Sequence, residues 1–291
     1  MSKHWLVTGA SGFVGRAFVQ SRLAQGDQVT GFTRTAPEQR ASLNQNVTWV
    51  SDWNQIKAPV QRVMNLAGEG IADARWTAKR RTALLDSRVA LTRDWIETLK
   101  SHPLEYAISA SAIGWYATGE ASIDESGPKG TGFASELCQQ WEAALDGLSC
   151  PTSVVRLGVV LGPGGFLARM LPLFKLGLGG PIGNGKQGFS WIQRDDAVAL
   201  FNWLNEGERT GVYNGVGPDA VAQKDMAKAL GSVLKRPAVM PTPGYAMKLA
   251  FGQMADELLL SGHFVTPQRA LDEGFVFQHP DIESAMLRSL S

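Results

Sequence analysis

Thr8-Gly9-Ala10-Ser11-Gly12-Phe13-Val14-Gly15 follows directly on the apolar run Trp5-Leu6-Val7. A hydrophobic strand that runs into glycines at this spacing, and then into a helix, makes a cradle for phosphate. Gly9 permits the tight turn, Gly12 lets the backbone approach a pyrophosphate, and Gly15 lets the helix pack close to the strand. The unpaired amides of the first helical turn and the positive end of the helix dipole then face the anion. With 32 glycines in 291 residues such spacings arise by chance, so the position behind an amino-terminal strand gives this one its meaning.

Composition sets the remaining bounds. The chain is long enough for one large domain or two modest ones, and 44% hydrophobic with 19% charged residues describes an ordinary water-soluble protein. A net charge of +1 gives no electrostatic case for nucleic acid or an anionic membrane, so any anion is held by local geometry. Cys138 and Cys150 fit no paired motif and point to a reducing compartment; His4, His102, His263 and His279 are scattered, so no metal site is expected. The most apolar later stretch, Leu167 to Ile182, is interrupted by Arg169, Pro172, Lys175 and glycines, and so does not read as a membrane span. No basic-then-apolar segment precedes the first strand, and a cytoplasmic location is the expectation.

Strand candidates at Trp5–Val7, Val29–Thr33, Val47–Val50, Val63–Leu66, Tyr106–Ser109 and Ser153–Arg156 alternate with helical stretches at Gly12–Gln25, Arg75–Ser101 and Ala134–Leu148. This alternation predicts an α/β fold of Rossmann type, a doubly wound parallel sheet covered on both faces. Beyond Arg156 the texture becomes glycine- and proline-rich, with Leu161–Gly165, Gly177–Gly188 and three prolines between 237 and 243. Residues 1–156 therefore read as a dinucleotide domain. Residues 157–291 read mainly as a smaller substrate region, with elements such as Gly211–Gly215 candidates to return to the first sheet.

Thr33-Arg34 closes the second strand about twenty residues past the glycines, where an acidic residue would bind ribose hydroxyls. Arg34 instead offers a cation to a 2′-phosphate, which favours NADP over NAD. Asp52 follows the third strand and could lie near the adenine, a place that any loop aspartate could equally occupy. Asn65-Leu66-Ala67-Gly68 ends the fourth strand with small residues against which a cofactor can lie. The fifth strand runs into Ser109-Ala110-Ser111-Ala112-Ile113-Gly114-Trp115-Tyr116, which puts Ser111 at the edge where a nicotinamide sits and Tyr116 just beyond.

The segments TGASGFVG, NLAG and SASAIGWY resemble extended short-chain dehydrogenase/reductases, the group that contains sugar-nucleotide epimerases and dehydratases. NLAGEGIADARWTAKRRTALLDSRVALT, VVRLGVVLGPGG, MLPLFKLGLGGPIGNGKQGFSWIQRDD and ELLLSGHFVTPQRALDEGF are similar, more specifically, to its atypical "epimerase family", whose members are also labelled cell-division inhibitor-like. The likeness spans essentially the whole chain. It implies NADP(H) at Gly9, Ser11, Gly12, Phe13, Val14, Gly15, Thr33, Arg34, Leu66, Ala67, Gly68, Arg88 and Arg156. Either of the last two arginines could instead form a plain salt bridge.

The wider superfamily transfers a proton through a tyrosine with a lysine four residues later. In the corresponding helix this chain has Ala134 and Cys138, or Phe133 and Leu137 one register away; the dyad is missing. Tyr116 oriented by Ser111 is one substitute, needing a cation such as Lys186 or Arg156 nearby; Glu69 and Cys138 are others. In Gly183–Asp196, Lys186, Gln187 and Trp191 have the donors and the flat surface for a polar substrate, although Trp191 serves equally as core. Asp195 and Asp196 read as caps of the following helix. Two functions compete: an NADP-dependent oxidoreductase or epimerase acting on a small polar or nucleotide-linked substrate, and an NADP(H)-binding sensor without turnover. The Arg75–Ser101 helix is a candidate homodimer face, by analogy with related folds.

Overall fold

The computed structural model describes residues 2–41, 43–119 and 121–291. β1 (His4–Thr8) leads into α1 (Phe13–Ala24), β2 (Gln28–Phe32), the short α2 (Glu38–Ala41), β3 (Val47–Val50) and β4 (Arg62–Asn65). A long helical segment follows, made of α3 (Ala78–Leu85), a π-helical turn (Asp86–Ala90) and α4 (Leu91–Leu99). Next come β5 (Tyr106–Ala112), β6 (Ser122–Ile123), α5 (Phe133–Ala143), β7 (Thr152–Leu157), β8 (Val159–Leu161), α6 (Gly165–Lys175), β9 (Gly188–Phe189) and β10 (Trp191–Gln193). The remainder is α7 (Arg194–Glu206), β11 (Gly211–Gly215), β12 (Val221–Ala222), α8 (Gln223–Leu234), α9 (Gly244–Phe251), α10 (Gln253–Leu258), β13 (Phe264–Val265), α11 (Gln268–Asp272) and α12 (Ile282–Leu290).

Seven strands form one sheet in the order β11-β7-β5-β4-β1-β2-β3, with every neighbouring pair parallel. The expected doubly wound α/β sheet is thus present, and Gly211–Gly215 joins it as the strand beside β7. Side chains alternate across it as strand geometry requires. Trp5 and Val7 share one face with Phe18, Ile108, Val155 and Phe201, while Leu6 shares the other with Val63, Trp95, Leu99 and Ala107. Helices α1 and α7 cover the first face and α4 the second, which is why all five residues of β1 are buried. A separate core forms in the carboxyl-terminal part from Leu167, Phe174, Trp191, Met226, Leu230, Ile282 and Met286.

The strand expected at Tyr106–Ser109 runs on to Ala112, because Ala110, Ser111 and Ala112 continue the ladder with Val155, Arg156 and Leu157. The start of α7 also differs from expectation: its cap is Gln193, whose side-chain oxygen accepts from the Asp195 amide. The Asp196 carboxylate is fully buried and accepts the amides of Gln278 at 2.8 Å and His279 at 2.9 Å, tying the last segment to the sheet layer. Asp196→Ala leaves those amides without partners and is expected to lower the unfolding free energy by about 2 kcal/mol. Urea denaturation reads this, and a variant as stable as the wild type would show that the tether contributes nothing.

Candidate functional site

The strand order reverses between β1 and β4, and the crevice that binds ligands in such sheets opens there at the carboxyl ends of the strands. Gly9 has φ +71°, and a β-carbon on it would lie 2.6 Å from the Leu66 carbonyl oxygen and 2.9 Å from the Ala67 nitrogen. One on Gly15 would lie 2.1 Å from the Gly9 carbonyl oxygen. The two loops therefore touch through backbone alone. Beneath them, the Thr8 hydroxyl donates to Asn65 Oδ1 at 2.7 Å and accepts the Ala67 amide at 3.2 Å. Asn65 Nδ2 in turn donates to Thr92 Oγ1 at 2.9 Å and Ser109 Oγ at 3.0 Å, so the network fixes both loops to the sheet. Gly12 caps α1 without a side chain, which leaves the first-turn amides open to an anion. The Phe13 ring turns away from them and packs under Gly162, Gly164 and Gly165, where added β-carbons would come within 2.7, 3.1 and 3.3 Å of it. The second glycine segment is thereby seated over the start of α1.

At the end of β2, the Thr33 hydroxyl pairs with that of Thr35 at 2.9 Å, and Arg40 Nε donates to the Thr35 hydroxyl at 2.9 Å. Arg34 is 64% exposed in its side chain and donates to Glu69 Oε1 at 3.0 Å; Arg80 pairs with the other oxygen of the same carboxylate. Hydrogen bonding from Arg34, opposed in part by burial, holds the Glu69 carboxyl below its ordinary range. Arg88 lies in the π-helical turn, a kind of distortion that often marks functional positions. Its guanidinium donates to the Glu69 carbonyl at 2.8 Å, lies beside Gly68 and sits 5.3 Å from the Trp141 ring. Burial pulls it down to about 10. Asp52 caps the short turn Trp53–Gln55, its Oδ1 accepting the Asn54 amide at 2.8 Å.

At the end of β5, the Ser111 hydroxyl donates to Glu142 Oε1 at 2.6 Å. Arg156 grips the same carboxylate with Nε at 2.9 Å and Nη2 at 2.8 Å, and stacks on Trp115 at 4.0 Å. Burial opposes the charge on Arg156, but Glu142 outweighs it and raises the guanidinium above its ordinary value. Tyr116 goes elsewhere. Its hydroxyl is buried and donates to Asn214 Oδ1 at 2.7 Å, and burial raises it above the ordinary phenol range despite the Arg156 guanidinium 5.0 Å from its ring. Ala134 and Cys138 face the turn after β5: a β-carbon on Gly114 would lie 3.3 Å from the Ala134 methyl and 3.8 Å from the Cys138 sulfur. Their helix, α5, has no cap of its own, and Glu257 of α10 accepts its Phe133 and Ala134 amides at 3.2 and 2.9 Å.

Of the segment 183–196, Lys186 is exposed in a turn made by Asn184, whose side chain accepts the Lys186 amide at 2.9 Å. Gln187 is occupied structurally, donating to the carbonyls of Ile182 at 3.1 Å and Leu259 at 2.7 Å. Trp191 has no exposed surface, and its indole donates to the Asp219 carbonyl at 2.8 Å, so its ring fills core here and offers no shelf. Among the described residues no group of three His, Cys, Asp or Glu gathers as metal ligands, and no helix is long and apolar enough to cross a membrane.

A parallel sheet that opens at its switch point beneath a glycine turn, with an arginine at the end of β2, is the site of a dinucleotide-binding protein. Residues 5–215 match the NAD dependent epimerase/dehydratase family, and residues 242–288 match a domain of unknown function, DUF1731. The chain belongs to the NAD dependent epimerase/dehydratase family. It is 34% identical over 295 residues to the human epimerase family protein SDR39U1, covering 97% of each, and 35% identical to an Arabidopsis thaliana SDR39U1 homolog, chloroplastic, covering 96% of this chain and 84% of that one. The crystal structure of human SDR39U1 (isoform 2) with NADPH superposes with a TM-score of 0.89 at 32% identity, over 98% of both chains. A nucleoside-diphosphate sugar epimerase from Corynebacterium glutamicum gives 0.76 at 26% identity, over all of this chain and 58% of that one.

Sequence reasoning missed Glu142 as the shared partner of Ser111 and Arg156, and Arg80 as the second partner of Glu69. No local pattern marks either one. Burial and the nearby Glu142 push the Cys138 thiol up to about 11 from 9.0. Each unit is a factor of ten in thiolate, so native Cys138 is expected to alkylate about a hundredfold slower than in urea at the same pH. Equal rates by mass spectrometry would return Cys138 to the proton carriers.

Proposed function

We propose that the protein binds NADP(H) and acts as an oxidoreductase or epimerase on a small polar or nucleotide-linked substrate. The observation that carries this reading is the backbone-only meeting of Gly9 and Gly15 with the Leu66–Ala67 loop, which leaves the α1 amides free at the depth a diphosphate needs. In it, Gly12–Gly15 hold the diphosphate, Thr33 and Arg34 meet the 2′-phosphate, and Leu66, Ala67 and Gly68 lie along the adenosine ribose. The NADPH in human SDR39U1 supports the cofactor, and the Corynebacterium nucleoside-diphosphate sugar epimerase supports a nucleotide-linked substrate.

When bound, a nicotinamide cofactor supplies hydride transfer. In this reading the chain supplies position and a hydrogen-bond acceptor for the substrate. The Ser111 hydroxyl, its own hydrogen committed to Glu142, keeps lone pairs to accept a substrate hydroxyl, and Glu142, held by Arg156, orients it. Lys186, exposed at the tip of its loop, and the segment 157–291 face the substrate. Ala134 and Cys138, at the positions of the usual dyad, and the buried Tyr116 hydroxyl favour a second reading, a cofactor-binding sensor without turnover.

Two measurements test the pair. Arg34→Ala is expected to weaken NADPH by about tenfold and NADH little, as read by nicotinamide fluorescence. Retained preference for NADPH would remove Arg34 from the 2′-phosphate. Across a panel of carbonyl and sugar-nucleotide compounds, NADPH oxidation or solvent deuterium uptake that falls about a hundredfold or more in Ser111→Ala supports catalysis. No turnover with any compound, alongside intact coenzyme binding, would favour the sensor.

A further inference from the structure

Glu69 is a carboxylate held between two cations that come from opposite sides of the crevice, Arg34 at the end of β2 and Arg80 on α3. Its backbone is fixed independently of its side chain: the amide donates to Ser87 Oγ at 3.1 Å, and the carbonyl accepts from Arg88 at 2.8 Å. Only the carboxylate has to move to release the arginines. Arg80 is held in place by a second bond, from Nη2 to the Gly70 carbonyl at 2.7 Å, and its side chain is 18% exposed. Arg34 is mostly exposed, and among the described residues its side chain pairs with Glu69 alone.

We propose that Glu69 is an internal stand-in for the 2′-phosphate of the cofactor, and that Arg34 and Arg80 exchange its carboxylate for that phosphate on binding. The inference rests on the NADP(H) reading above and adds Arg80 and Glu69 to it. A carboxylate and a terminal phosphate both present a pair of oxygens that guanidinium forks bind alike, and the phosphate carries the larger charge. The Arg34–Glu69 pair, with Arg34 64% exposed, contributes little net stability, so a dianion can displace that arm of the bridge. A bare ribose 2′-hydroxyl brings no anion and leaves the Arg34–Glu69–Arg80 bridge closed. Glu69 thus sets the affinity of the phosphorylated coenzyme alone, as a competitor that the other never has to displace. Arg40, on Thr35 in the same turn, is a further cation there that does not pair with Glu69.

The test is equilibrium titration of wild type, Glu69→Gln and Arg80→Gln with NADPH, NADH and adenosine 2′-monophosphate. Glu69→Gln removes the competing charge and keeps the shape; it is expected to tighten NADPH and adenosine 2′-monophosphate by about threefold or more, with NADH unchanged. Arg80→Gln is expected to weaken both phosphorylated ligands and again spare NADH. If Glu69→Gln binds NADPH equally or less well, or if NADPH and NADH shift together, Glu69 is a structural tie and the exchange is overturned. Wild type that takes up neither coenzyme sinks the cofactor reading itself, which is a different result from an intact wild type with an indifferent Glu69→Gln. Circular dichroism melting of both variants separates lost binding from lost fold.

Discussion

Two backbone positions that cannot carry a side chain organise this molecule. Where β1 ends, Gly9 bends in a left-handed conformation against the carbonyl of Leu66, and the first turn of α1 rests Gly15 on Gly9 itself. Any β-carbon there would meet main-chain atoms, which cannot swing aside as a flexible side chain can. The closeness brings the amino end of α1 down to the level of the strand ends, where β1 and β4 part. Thr8 and Asn65 reinforce it from below. Because both are buried, their bonds act in a medium that makes a satisfied polar network rigid and an unsatisfied one unfavourable.

Beyond this hinge the site is arranged by charges that share partners. One carboxylate, Glu142, satisfies a serine and an arginine; another, Glu69, satisfies two arginines. The two clusters differ in solvent access. Arg156 and Glu142 are 5% and 13% exposed in their side chains, so neither can lose the other without stranding a charge away from water. Arg34 stands largely in water, where its ion pair contributes little. The deep cluster is suited to hold geometry and the shallow one to respond to what arrives.

How much of this the sequence displays depends on range. Strand-helix alternation and the glycine spacing are local patterns, and with them the parallel sheet and the crevice can be read from the residues, with 211–215 a candidate that the sheet takes up. Single residues at strand ends, such as Ser111 and Arg34, are also visible, because chain direction alone assigns them to the crevice edge. Their partners are not: Glu142 meets Ser111 across 31 residues and Glu69 meets Arg34 across 35, and no periodicity encodes such a meeting. The fates of Tyr116 and Trp191 are hidden for the same reason. Tyr116 binds Asn214, 98 residues away on the returning strand, and Trp191 is enclosed by α8 and α12. An aromatic ring near a glycine loop looks identical in sequence whether it faces ligand or core.

The amino end of α5 borrows its cap from Glu257, more than 120 residues downstream, across a glycine whose added β-carbon would lie 2.7 Å from that carboxylate. Moving α10 away from α5 therefore leaves two part-buried amides without these partners. Any displacement of α10 must either carry α5 along, and with it Ala134 and Cys138 beneath the turn at Gly114, or be confined to loops that Glu257 does not anchor. Movement of α10 and the packing of the turn after β5 are in this way mechanically coupled.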